Sequence, residues 1–177
     1  MSGPNKARGA PQARQGHCGR QGRREDLGRR GHRVLPHTAD VILQAWGPDL
    51  STCLEDAVAA LVGTYLEDTL GSPAADQPLM TARSSAAERH LSLPPAPAES
   101  WLLSLLDEVI FTLDTEEGVP ARATVVSNAT GGLDVTIALA RRDEVVPTGA
   151  VPKAVSRSEL EIVVWPDRAC CQFLVDV

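Results

Sequence analysis

The stretch His37-Thr38-Ala39-Asp40-Val41-Ile42-Leu43-Gln44-Ala45-Trp46-Gly47-Pro48-Asp49-Leu50 contains a turn, a strand and a helix start. Residues 32–35 and 41–46 read as two strands around the His37–Asp40 turn. Asp49, after Pro48, is a good N-cap, because a carboxylate can accept from the free N–H groups of a first helical turn. Apolar residues then recur at Leu50, Cys53, Leu54, Ala57, Val58, Leu61, Val62 and Tyr65. Steps of three and four predict an amphipathic helix, with Glu55 and Asp56 on its outer side.

Beyond this unit, residues 67–84 hold Gly71, Ser72, Pro73 and Pro78 and read as a loop. Residues 88–93 alternate and predict a short strand, which Pro94, Pro95 and Pro97 end. A second helix is predicted over 99–114. Its wide apolar face comprises Trp101, Leu102, Leu105, Leu106, Val109, Ile110 and Leu113, and Gly118 and Pro120 end it. The rest reads as β, with strands at 122–126, 133–140, 153–156, 159–165 and 171–176. Two helices on a mainly antiparallel sheet make a two-layer α+β fold.

Charge divides the chain. Residues 1–30 carry eight Lys or Arg against two acids, a balance of +6, with few apolar side chains. Such a segment cannot offset its ordering entropy and is expected to be a disordered basic tail. The rival reading is a translation start further along. Residues 31–177 form the expected domain. They carry nine Lys or Arg against twenty-one Asp or Glu, a balance of −12. Phosphate backbones would be repelled by that charge, which makes the domain a poor candidate for binding nucleic acid unaided. A basic protein partner or bound cations fit better.

No apolar run reaches the roughly 18 residues of a membrane helix, and the N-terminus has no apolar core of a secretory signal. A cytoplasmic location is expected. Cys18, Cys53, Cys170 and Cys171 form no C-x-x-C pair, so reduced thiols are expected rather than a zinc site. Neither a nucleophile elbow nor a phosphate-cradling glycine loop is present, and the residues alone specify no enzyme.

One constellation carries chemistry. Asp40 stands at the mouth of an apolar strand, and Phe173-Leu174-Val175-Asp176-Val177 is an apolar strand ending on an acid and an α-carboxylate. If the two strands lie side by side, three carboxyl groups share one small site, and that arrangement wants a cation. Taken singly, Asp40 is an ordinary turn residue, His37 a structural histidine and Asp176 a solvated terminal residue. Lys153 is the only lysine of residues 31–177, poised between a surface charge and a specific contact.

Taken in order, the His-Thr-Ala-Asp-Val strand, the Trp46-Gly47 ending, the N-capped helix, the Leu102-Leu103-Ser104-Leu105-Leu106-Asp107-Glu108-Val109-Ile110-Phe111 helix, Lys153-Ala154-Val155 and the terminal Val175-Asp176-Val177 resemble the archease family. The resemblance covers nearly all of residues 31–177. It implies a non-catalytic activator of an RtcB-type RNA ligase, promoting ligase guanylylation and multiple turnover in tRNA splicing and RNA repair. RNA would be met only through the ligase. It further implies a divalent metal, usually calcium, with magnesium or manganese as alternatives, at Asp40, Asp176 and Val177. Lys153, with His37, is implied as a contact to the partner or its nucleotide. Oxygen donors from carboxylates suit such hard cations. Ala150-Val151-Pro152 departs from the family's usual Thr-Glu-Val before the lysine, so an acid beside Lys153 is lost. Two rival readings stand: an acidic adaptor or chaperone for another RNA-processing enzyme such as a tRNA methyltransferase, and an enzyme with a metal-activated water. The last lacks a nameable general base.

Overall fold

The computed structural model describes residues 30–35, 40–66, 87–115, 118–145, 149 and 151–177. The expected tail before Arg30, the whole 67–84 loop and His37 lie outside the described residues. The elements in chain order are β1 (Gly31–Leu35), β2 (Val41–Gly47), α1 (Leu50–Tyr65), β3 (Ala87–Leu93), α2 (Ala98–Asp114), β4 (Val119–Ser127), β5 (Leu133–Ala140), β6 (Ala154–Val155), β7 (Glu161–Trp165) and β8 (Arg168–Asp176). Asp49 caps α1 as its sequence suggests: Oδ1 accepts from the Thr52 N–H at 2.8 Å. Gly47 lets strand turn into helix at close quarters, since a Cβ there would come within 2.7 Å of the Thr52 side chain.

The fold is α+β, with its antiparallel strands divided between two sheets. A five-stranded sheet runs β1-β2-β8-β6, with β7 also paired to β8. A three-stranded sheet runs β3-β5-β4. Helix α1 lies against β2 and β1 of the first sheet and β4 of the second, and it also meets α2. A helix packed on two sides must bury more than one stripe. Besides the apolar positions read from the sequence, it buries Ala60, Thr64 and Asp56. The core gathers Leu43, Phe173 and Val175 from the large sheet, Leu54, Val58 and Leu61 from α1, Leu102, Leu105, Leu106 and Val109 from α2, and Val135 and Ile137 from the small sheet. Each such side chain contributes about 1.5–3 kcal/mol relative to exposure.

This double packing corrects one expectation. Asp56 is not on the outer side of α1; it is 5% exposed. Arg30 makes that tolerable by donating to its carboxylate through Nη2 at 2.8 Å and Nε at 3.1 Å. Pro120, expected to end α2, instead lies in β4 beside a register irregularity.

Candidate functional site: the carboxylate end of the five-stranded sheet

The site rests on strand register. In the antiparallel β2–β8 pair, Val41 lies opposite Val175. Asp40 immediately precedes Val41 and Asp176 immediately follows Val175, so the two acids sit side by side at one end of the sheet. On the other side of β8, the short strand β6 places Ala154 opposite Asp176. The Lys153 N–H donates to the Asp176 carbonyl at 2.8 Å, and the Ser156 N–H donates to the Leu174 carbonyl at 2.9 Å. Pro152 and Val155 are buried while Lys153 and Ala154 are exposed. The strap is thus anchored on both sides of an outward-facing lysine. Val177 is half-buried and packs against the core, which pins the end of the chain.

Asp40 is half-buried and Asp176 exposed. Among the described residues, neither carboxylate is ion-paired. No group of three or more His, Cys, Asp or Glu side chains among the described residues could hold a metal. The candidate set here is different in kind, being the side-chain carboxylates of Asp40 and Asp176 with main-chain oxygen from Val177. Its donors are all oxygen, which fits a hard divalent cation with its remaining positions filled by water, backbone or a partner. The residues brought together are thus Asp40, Asp176, Val177 and Lys153. His37 lies outside the described residues.

Two polar clusters escape a reading of the sequence by itself. The first joins Arg30, Asp56, Glu55 and His32. Arg30 Nη2 lies 3.5 Å from Glu55 Oε2, and Glu55 Oε1 accepts the Val125 N–H at 3.1 Å. His32 has its pKa lowered: burial disfavours the imidazolium, the Asp56 charge works the other way, and Arg30 adds to the lowering. The second cluster crosses the large sheet. Arg33 Nε donates to Gln44 Oε1 at 2.9 Å, and Gln44 Nε2 donates to Gln172 Oε1 at 2.6 Å. A glutamine inside the apolar run of β2 was a signal for it, since a buried amide needs a partner. The partner lies far away in sequence.

Comparison with known proteins fits this architecture. A family model described as "Archease protein family (MTH1598/TM1083)" matches residues 32–177. A "Probable protein archease" of Mycobacterium tuberculosis is 38% identical over 130 residues, covering 73% of this chain and 65% of that protein. The match therefore spans just under two thirds of that relative's length. A "Protein archease-like" of Dictyostelium discoideum is 29% identical over 147 residues, covering 81% of this chain and 91% of that protein. Among solved structures, the Methanobacterium thermoautotrophicum protein 1598 superposes with a TM-score of 0.61 at 22% identity, covering 83% of this chain and 99% of that one. A Thermotoga maritima structure titled as an archease, possible chaperone, gives a TM-score of 0.54 at 18% identity, covering 82% and 96%. The fold is shared with both, and the chain, matched by the family model from residue 32 to residue 177, belongs to the archease family.

Proposed function

We propose that this archease activates an RtcB-type RNA ligase without being a catalyst itself. It would act in the cytoplasm, in tRNA splicing and RNA repair, and meet RNA only through the ligase. The observation that carries the reading is the register that sets Asp40 beside Asp176 with Lys153 across the strand. Asp40, Asp176 and the Val177 carboxylate would hold one divalent cation, calcium in the first instance, with magnesium or manganese as alternatives. A bound cation supplies positive charge where a partner's nucleotide phosphates are to be aligned. Lys153, and His37 from the turn, would contact the partner or that nucleotide. Among the described residues, no helix is long and apolar enough to cross a membrane.

Two measurements test this. Calcium that binds only the folded state stabilises it by about 2.7 kcal/mol at a hundredfold excess over Kd, so it should raise the melting temperature of the wild type. Asp40→Asn and Asp176→Asn should lose most of that rise, and should reduce multiple-turnover ligation more than single-turnover ligation. Equal calcium stabilisation of Asp40→Asn, or normal ligase activation by both variants, would refute the scheme. Lys153→Ala should weaken activation while keeping the calcium response. Unchanged activation at limiting protein would remove Lys153 from the site.

A second reading has its own observation: the strong acidic excess of residues 31–177 suits an adaptor or chaperone for a basic RNA-processing enzyme such as a tRNA methyltransferase. Suppression of that enzyme's aggregation by Asp40→Asn as well as by wild type, with no effect of either on the ligase, would favour it.

A further inference from the structure

The five-stranded sheet has two faces. On one, Leu43, Ala45, Cys171, Phe173 and Val175 are fully buried in the core. On the other, register sets Leu35 opposite Ile42 and Ile42 opposite Leu174, an apolar row across three strands. All three are half-buried. None is among the hydrophobic residues packed against the core, whereas Val41 and Val177 are. On one side the row is bounded by the Arg33–Gln44–Gln172 chain of hydrogen bonds. On its other side stand Asp176, two residues beyond Leu174, and Asp40, two residues before Ile42. Two residues along a strand span about 6.6 Å. The apolar row thus lies one side chain's breadth from the carboxylates.

We propose that Leu35, Ile42 and Leu174 form a docking strip for a protein partner with an apolar ridge edged by Lys and Arg side chains. This rests on the activator reading and assigns the surface on which the ligase would sit. The argument is charge complementarity. Neither acid beside the strip is ion-paired among the described residues. Three carboxyl groups around one divalent cation leave that edge net negative, so a basic rim on the partner would still meet it as its ridge covers the row, and exclusion of water from the apolar centre strengthens both contacts. A second copy of this chain would bring carboxylates toward carboxylates, and RNA would be repelled by the same charge. Docking here turns the carboxylate edge toward the partner surface next to the ridge.

The test uses the full chain and a purified RtcB-type ligase. Ile42→Gln combined with Leu174→Gln should weaken ligase binding at least about tenfold, while leaving the calcium-induced rise in melting temperature in place. As a second measurement, hydrogen exchange of the wild type should slow on ligase addition within 31–35, 41–44 and 172–176, and not within α2 or β3. Binding of the double variant within twofold of wild type overturns the strip. So does protection confined to α2 and β3, or a wild-type dimer that the double variant dissolves without any change in ligase binding. In each of those cases ligase activation by the wild type persists and the activator reading stands. A wild type that neither binds nor activates the ligase ends the activator reading, and the strip with it.

Discussion

His32 stands beside two opposite charges, Asp56 and Arg30, half-buried where α1 meets the start of β1. Because its folded pKa lies below the ordinary value of 6.5, protons prefer the unfolded chain. The stability that depends on neutral His32 is therefore complete above about pH 6.5 and is lost as pH falls through the lower folded value. His32→Asn should flatten the fall in chemical-denaturation midpoint between pH 7 and pH 5, and an unchanged slope would sink the assignment. Asp56 makes a related point about legibility. Helical spacing put it outside, since one apolar stripe was assumed. Burial came from a second sheet, and its compensating charge from Arg30, a residue grouped with the tail. The carboxylate pair was easier to anticipate, because acids beginning and ending apolar strands are conspicuous in one dimension. What the chain alone could not give was the β2–β8 register.

At the scale of elements, both helices follow their apolar spacing closely, and α1 starts at its cap. Asp49→Ala should lower stability by about 1 kcal/mol, measured by equilibrium unfolding; no change would mean the cap bond to Thr52 is redundant. Among the described residues every strand overlaps a stretch expected to be β, though β4 starts early at Val119, β6 keeps only Ala154–Val155 of 153–156 and β8 starts early at Arg168. Their division between two sheets was not legible, because pairing depends on which hydrophobic face meets which, and many partitions of eight short strands satisfy the same alternation. Arg142 shows how far-apart elements are joined: it donates to the Leu113 carbonyl at 2.5 Å and lies 3.5 Å from the Tyr65 hydroxyl, tying together the C-terminal turns of both helices. The loop residues Asp143 and Glu144 stay exposed beside Arg141, whose guanidinium pairs with the Asp143 carboxylate at 2.7 Å.

Across the whole molecule, the basic first segment and the acidic remainder separate at Arg30. Deleting residues 1–29 should leave the melting temperature nearly unchanged, since that stretch offers few core-forming side chains. Removing Arg30 as well should cost stability, because Asp56 then stays buried without its cation. Arg30 is 38% exposed, so solvent screening keeps that loss near about 1–2 kcal/mol rather than the larger cost of a fully buried pair. A large drop on the shorter deletion would show that the segment contributes to the fold after all.

The central position of β8 has one more consequence. It pairs with β2, β6 and β7, yet every one of those strands precedes it along the chain. On the ribosome, β1 and β2 leave the exit tunnel early and must wait for the strand that completes their sheet. During that wait, the β2 edge and the apolar side of α1 are open to other nascent chains. Final closure joins residues far apart in sequence, so it carries a long loop-closure cost and should set the slow step of folding. A stalled chain ending at Asp167 should therefore remain protease-sensitive, and the same chain extended through Val177 and released should become resistant in a single late step.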